Sequence, residues 1–309
     1  MPTAFISHPD CLKHEMGRGH PEQPARLTAI EDQLVASGLD SFLKRYEAPL
    51  ATDEQLALVH PLEYVRAIRD AAPASGMVHL DPDTAMNPYS LDAALRGAGA
   101  GVLATNLVMK REVDAAFCNV RPPGHHACRA RPMGFCIFNN VAVAARHALL
   151  AHGLARVAII DFDVHHGNGT EDIFENDPQV MMASTFQHPF YPYCGTENPA
   201  FNMVNVPLPA GAGSKQFRGA VTKHWLPALD QFRPELVVFS AGFDAHAEDD
   251  MAMLQLKDAD YGWVTGQVKA LADRHAKGRM VSMLEGGYAL PALGRSAVQH
   301  LRVLAGLSA

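Results

Sequence analysis

The chain has 309 residues, 48% of them hydrophobic, and a formal net charge of −7. That is enough apolar material for one large core, while dispersed Lys and Arg with no basic stripe argue against nucleic-acid binding. No apolar run reaches the ~18 residues of a membrane helix. The start MPTAFISHPDCLKHE lacks the basic and apolar regions of a secretory signal.

Taken in chain order, TAFIS reads as a strand, followed by helical patterns near 24–37, 53–72 and 90–110. VDAAFCNV is a second strand, and a helix near 139–152 follows. RVAIIDFDV, QVMMASTF and FNMVNVPL read as strands, then a helix near 214–231, the strand ELVVFSAG, a helix near 258–276, the strand RMVSMLEGG and a last helix near 289–306. Asp258 and Asp260 suit the start of the 258–276 helix and Gly278 its end. VAIIDFDV and LVVFSAG are apolar without clean alternation, as strands covered on both faces are. The alternation of strand and helix predicts a three-layer α/β domain with a parallel sheet. No linker, low-complexity tract or repeat interrupts it, so residues 1–309 are expected to form one domain. Five cysteines without a CxxC pair point to a reduced, cytoplasmic setting. Self-association into a homo-oligomer is left open.

Sixteen histidines are the unusual feature. In parallel sheets, sites form outside the carboxyl ends of the strands, and the chemistry-bearing residues cluster at such ends. His125 and His126 follow VDAAFCNV. Adjacent residues of an extended chain point to opposite faces, so two histidines serving one site need an irregular turn, which Pro122, Pro123 and Gly124 can supply. Asp161, Asp163 and His165 are spaced by two, and on a strand end they would share one face. Asp244 ends LVVFSA. Asp163, His165 and Asp244 together would bind a borderline divalent metal such as zinc and leave a position open for water, as catalytic sites do. The two histidines could then move protons, with Asp161 and Asn168 as candidate partners for their second nitrogens. Gly286 and Gly287 allow close approach to a ligand, and Tyr288 after them could donate to an oxyanion. Each of these stretches also has a bland reading: a solvated loop for the histidines, an acidic strand terminus for the carboxylates, packing for Tyr288.

Together GHPEQPARL, RPPGHHA, MGFCIFNN, DFDVHHGNGT, AGFDAH and LEGGY resemble the zinc-dependent histone deacetylase family, and within it the class II and bacterial branch that includes acetylpolyamine amidohydrolases. The resemblance implies the arginase–deacetylase fold, with a parallel sheet of about eight strands, and zinc held by Asp163, His165 and Asp244. It implies that His125 pairs with Asp161 and His126 with Asn168, that His126 is the general base and then acid, and that Tyr288 polarises the scissile carbonyl. Gly134, Phe135, Tyr191, Met251 and Gly286 would line an acyl-lysine tunnel, with Arg26 near its floor. A structural potassium ion would be held by Asp161, Asp163, His165, Ser184 and Thr185. The implied reaction is hydrolysis of an acylated amine, on acetyl-lysine in proteins or on small acetylated amines. An arginase-like binuclear manganese hydrolase and a non-catalytic acyl-amine binder are the competing readings.

Overall fold

The structure, a computed structural model, describes residues 2–307. Ten strands occur in chain order: β1 Thr3–Ser7, β2 Leu43–Glu47, β3 Val78–His79, β4 Ala85–Met86, β5 Ala115–Cys118, β6 Val157–Asp161, β7 Val180–Gln187, β8 Met203–Leu208, β9 Leu236–Ala241 and β10 Met280–Leu284. Strands β3 and β4 form a small antiparallel pair. The other eight make one sheet in the order β2-β1-β5-β10-β9-β6-β7-β8, and every neighbouring pair in it is parallel.

The four central strands, β5, β10, β9 and β6, are buried along their whole length. Helices Ser90–Met109 and Asn140–His152 pack on them and on each other, while Ala25–Ala36, Asp258–His275 and Leu290–Leu304 pack together as a second layer. This double cover is why these strands carry continuous apolar runs. Position in the sheet also fixes the site, because the loops after β5, β6, β9 and β10 leave four adjacent strands at the same end.

The short pair β3–β4 and the helix Asn168–Phe174 are absent from the sequence reading, and three further differences have a clear physical reason. LKRYE forms β2, an edge strand with an exposed, charged pattern. It is held by backbone pairing of Leu43 with Thr3 and onward, which leaves no apolar trace in the sequence. The helical pattern at 53–72 divides into Asp53–Leu56 and Leu62–Ala71, since Pro61 lacks the N–H that a continuous helix requires. The pattern at 214–231 divides likewise into Ser214–Ala220, a π turn at Val221–Trp225 and Leu226–Phe232. Pro227, with no N–H to give, lies just after the π turn.

Candidate active site

Strand β6 ends at Asp161, so Asp163 and His165 do not continue a strand face as their spacing suggested. Residues 162–167 turn instead, and the turn is made by its own side chains. Asp161 Oδ1 accepts the N–H of Asp163 at 3.1 Å, and Asp163 Oδ1 accepts that of His165 at 2.9 Å. Short acidic side chains favour such local bonds over a ladder. The turn brings Asp163 and His165 against Asp244 from the loop after β9, with ligating atoms of all three within 4.8 Å of one another. His165 Nδ1 lies 3.0 Å from Asp163 Oδ1 and 3.2 Å from Asp244 Oδ2.

The outer oxygens are held by backbone. Gly286 N–H donates to Asp163 Oδ2 at 2.8 Å and Val164 N–H to Asp244 Oδ1 at 2.8 Å. Asp244 Oδ2 is buried, and apart from the 3.2 Å approach of His165 Nδ1, which is not aligned as a hydrogen bond, it has no partner among the described residues. Burial, and then the charge of Asp163, push the Asp244 carboxyl up to about 7. Two buried carboxylates and an imidazole with an orphaned oxygen between them are a donor set that a divalent cation satisfies. Gly286 closes this floor, since a Cβ there would meet Asp244 Oδ2 at 2.1 Å.

The tandem histidines come from the loop after β5. Gly124 lies so close to Asn140 that a Cβ would stand 2.5 Å from its nitrogen, and the turn through Pro122–Gly124 brings the rings of His125 and His126 to 4.0 Å. Both line one pocket. Their partners differ in charge. His125 Nδ1 faces Asp161 Oδ2 at 3.1 Å, and His126 Nδ1 faces Asn168 Oδ1 at 2.7 Å. Burial would lower His125, yet the carboxylates of Asp163 and Asp161 outweigh it and push it up to about 10. Burial, then the neighbouring His125 and His165, hold His126 well below 6.5. The two rings are thus pushed in opposite directions, His125 towards its charged form and His126 towards its neutral one.

Glu285 ties this loop to the next. Its Oε2 accepts Gly124 N–H at 2.6 Å and His125 N–H at 3.1 Å, and its Oε1 accepts the Ser240 hydroxyl at 3.3 Å. Beyond it, Tyr288 lines the pocket. Arg26 lies behind that tyrosine rather than in the pocket wall, its guanidinium 4.9 Å from the ring centroid. It donates to the carbonyls of Gly287, at 2.6 Å, and Glu285. Glu22 neutralises it, accepting from Arg26 Nη1 at 2.9 Å and from Arg121 Nε and Nη2 at 2.5 Å each. All three side chains are fully buried.

A cavity of about 210 Å³ leads to these groups. Phe135 and Met251 line it, and Tyr191 does so together with Phe190, whose ring stacks on His165 at 5.6 Å. Gly134 also lines it, where a Cβ would strike the His126 ring at 2.3 Å. Ser184 and Thr185 are buried on β7, Ser184 in register with Asp161. The hydroxyl of Ser184 has no partner among the described residues.

Several site residues escaped the sequence reading. Glu285 and Glu22 lay inside quoted motifs, where a carboxylate bound to backbone or arginine has no distinguishing pattern. Asp83, in the wall, carries no motif, and Pro123, which the sequence marks only for its turn, lines the wall as well. Phe190 adjoins Tyr191, the aromatic that the resemblance indicates.

Known proteins resemble this chain over most of its length. Residues 20–304 match the histone deacetylase domain family. The chain is 39% identical to a histone deacetylase-like amidohydrolase of Pseudomonas aeruginosa, over 97% of this chain and 86% of that protein. It is 35% identical to the human polyamine deacetylase HDAC10, over 99% of this chain and 48% of that protein. The crystal structure of the HDA15 HD domain superposes with a TM-score of 0.93 at 35% identity, covering 99% of this chain and 88% of that one. The chain belongs to the histone deacetylase family of hydrolases acting on acetylated amines.

Proposed function

We propose that the enzyme is a zinc-dependent amidohydrolase that removes the acetyl group from acetyl-lysine or small acetylated amines through the pocket between Phe135 and Tyr191. The observation that carries this reading is the orphaned oxygen of Asp244 beside Asp163 and His165. These three side chains would hold Zn²⁺, which when bound supplies Lewis acidity and an acidified water. His126, neutral and with Nδ1 facing an amide oxygen, takes the proton of the attacking water at Nε2 and later delivers it to the departing amine. His125, kept charged by Asp161, contributes a fixed positive field beside it. The Tyr288 hydroxyl donates to the carbonyl oxygen as it becomes an oxyanion. Phe135, Phe190, Tyr191 and Met251 exclude water from a linear acyl-amine chain.

The unpartnered Ser184 hydroxyl beside Asp161 supports a potassium ion at that end of β7, with Asp161, Asp163, His165 and Thr185 as its other ligands. Five free cysteines support a reducing, cytoplasmic compartment. Among the described residues no helix is long and apolar enough to cross a membrane.

The test is a fluorogenic acetyl-lysine assay with metal analysis on the same protein. One zinc per chain, lost together with turnover in Asp163→Ala or Asp244→Ala, is the expected result. Full zinc in both variants overturns the ligand assignment.

A further inference from the structure

Asn168 can present either end of its amide to His126, since oxygen and NH₂ are nearly the same size. The surroundings decide between them. Its Nδ2 lies 3.3 Å from Met133 Sδ and 3.4 Å from Cys128 Sγ, while Oδ1 faces His126 Nδ1. A thioether has lone pairs and no hydrogen to give. The Cys128 thiol has two acceptors for its hydrogen, the His126 carbonyl at 3.7 Å and Met133 Sδ at 4.0 Å, and with the hydrogen on either it meets Asn168 with its lone pairs. Arg131 Nη2 approaches the same sulfur at 3.7 Å. Met133 itself is fixed by a reciprocal backbone pair with Cys136, at 3.2 and 3.0 Å, across the turn that carries Gly134 and Phe135.

We infer that Met133 and Cys128 are positioning residues for the reaction, setting the amide of Asn168 and through it the tautomer of His126. The inference rests on the reading of His126 as the base. With Oδ1 toward His126, the ring proton sits on Nδ1 and Nε2 offers a lone pair to the pocket. With the amide reversed, Nδ1 must accept, the proton moves to Nε2, and nothing remains to take a proton from water. The reversed amide also sets an oxygen against the Met133 thioether, two acceptors with no hydrogen between them. A carboxylate at 168 would meet the same conflict in either orientation. The sulfur pair therefore selects an amide over an acid at this position, and selects which way that amide points.

The experiment is a square of four proteins, wild type, Met133→Leu, Asn168→Asp and the double variant, with His126→Ala alongside. For each, kcat and KM are measured on one acetyl-lysine peptide, and zinc content is checked. Met133→Leu in the Asn168 protein should lower kcat by about tenfold with KM within about threefold. In the Asn168→Asp protein the same change should cost nothing or raise kcat, because a carboxylate has no wrong end and the opposing sulfur is gone. An equal loss in both backgrounds marks Met133 as packing only and overturns the inference, as does an unimpaired Met133→Leu. Turnover retained in His126→Ala overturns the base assignment and the inference with it. A dead His126→Ala beside an unimpaired Met133→Leu overturns the sulfur inference alone. Should thermal melts show that Met133→Leu does not fold, Cys128→Ala takes its place in the same square and is judged by the same outcomes.

Discussion

One oxygen of Asp249 accepts the backbone N–H of Tyr288 at 2.6 Å and that of Ala289 at 2.9 Å. The loop after β9 thereby holds the start of the segment after β10. The other oxygen takes the N–H of Met251 at 3.1 Å, so the tyrosine and the rim methionine share one anchor. Asp249→Asn keeps the shape but turns one acceptor into a donor facing N–H groups. Bonds to a buried charged group contribute roughly 1.5–3 kcal/mol, and the loss should fall on Tyr288 placement. The expected result is a drop in kcat of about tenfold or more with little change in KM. Unchanged kcat would show that the loop holds its place without Asp249.

Tyr288→Phe tests the hydroxyl by itself, since the ring packing against Phe135 and Arg26 remains. An oxyanion donor acts mainly in the transition state, so kcat should fall ~10²–10³-fold while KM moves little. Zinc content should stay at the wild-type level. A trifluoroacetyl substrate, more activated, should show a smaller deficit than plain acetyl. Near-normal kcat on the acetyl substrate would reduce Tyr288 to a packing role.

Selectivity for polyamines should be weak. A cationic amine beyond the scissile amide is drawn by rim carboxylates, yet Met251 lines the wall without charge. Of the acids just before it, Asp249 is turned inward to Tyr288 and Glu248 is paired with Arg295 at 2.7 Å. That leaves Asp250, exposed, and Asp83 in the pocket wall, whose Oδ1 accepts Gly134 N–H and the Thr84 hydroxyl. The measurement is kcat/KM for N8-acetylspermidine against an acetyl-lysine peptide. A polyamine preference above about a hundredfold, roughly 2.7 kcal/mol, refutes the expectation.

Acid should destabilise the fold in two stages. Burial lowers His14 and His60 to about 4 and His300 to about 3. Below pH 6.5 the unfolded chain binds protons at these rings and the folded chain does not, so stability falls as pH drops from 6.5 towards 4. Each such ring contributes about 1.4 kcal/mol per pH unit within that window. Glu22 adds a second stage. Burial opposes its ionisation, but Arg121 and Arg26 prevail and hold it at about 2, so its contribution is present above 4.5 and lost as pH falls from there. Urea unfolding of wild type and His300→Gln at pH 7, 6 and 5 measures this. The variant's curve should be flatter by about 0.7 kcal/mol between pH 7 and 6 and by about 1.2 kcal/mol between pH 6 and 5, whatever its stability at pH 7. Parallel curves would remove His300 from the account.

The residues proposed as ligands and proton carriers stand out in the sequence because such chemistry needs particular side chains at short spacings. Asp163 with His165, and His125 with His126, are each set by a few residues of local chain. The long apolar strands were legible for the same reason, since burial on both faces selects every residue along β6 and β9. Their convergence was decided only in three dimensions. Cys118, Asp161, Ala241 and Leu284 end four strands that adjoin in the order β5, β10, β9, β6, and a parallel sheet reaches that order through packing of its crossover helices, not through any local signal. Asp249 and Glu285 remained hidden because they bind backbone N–H groups, which every non-proline residue carries alike. Strand β2 was hidden on the same physical ground. Its hold on β1 is a ladder of peptide groups, and a ladder does not specify which side chains accompany it.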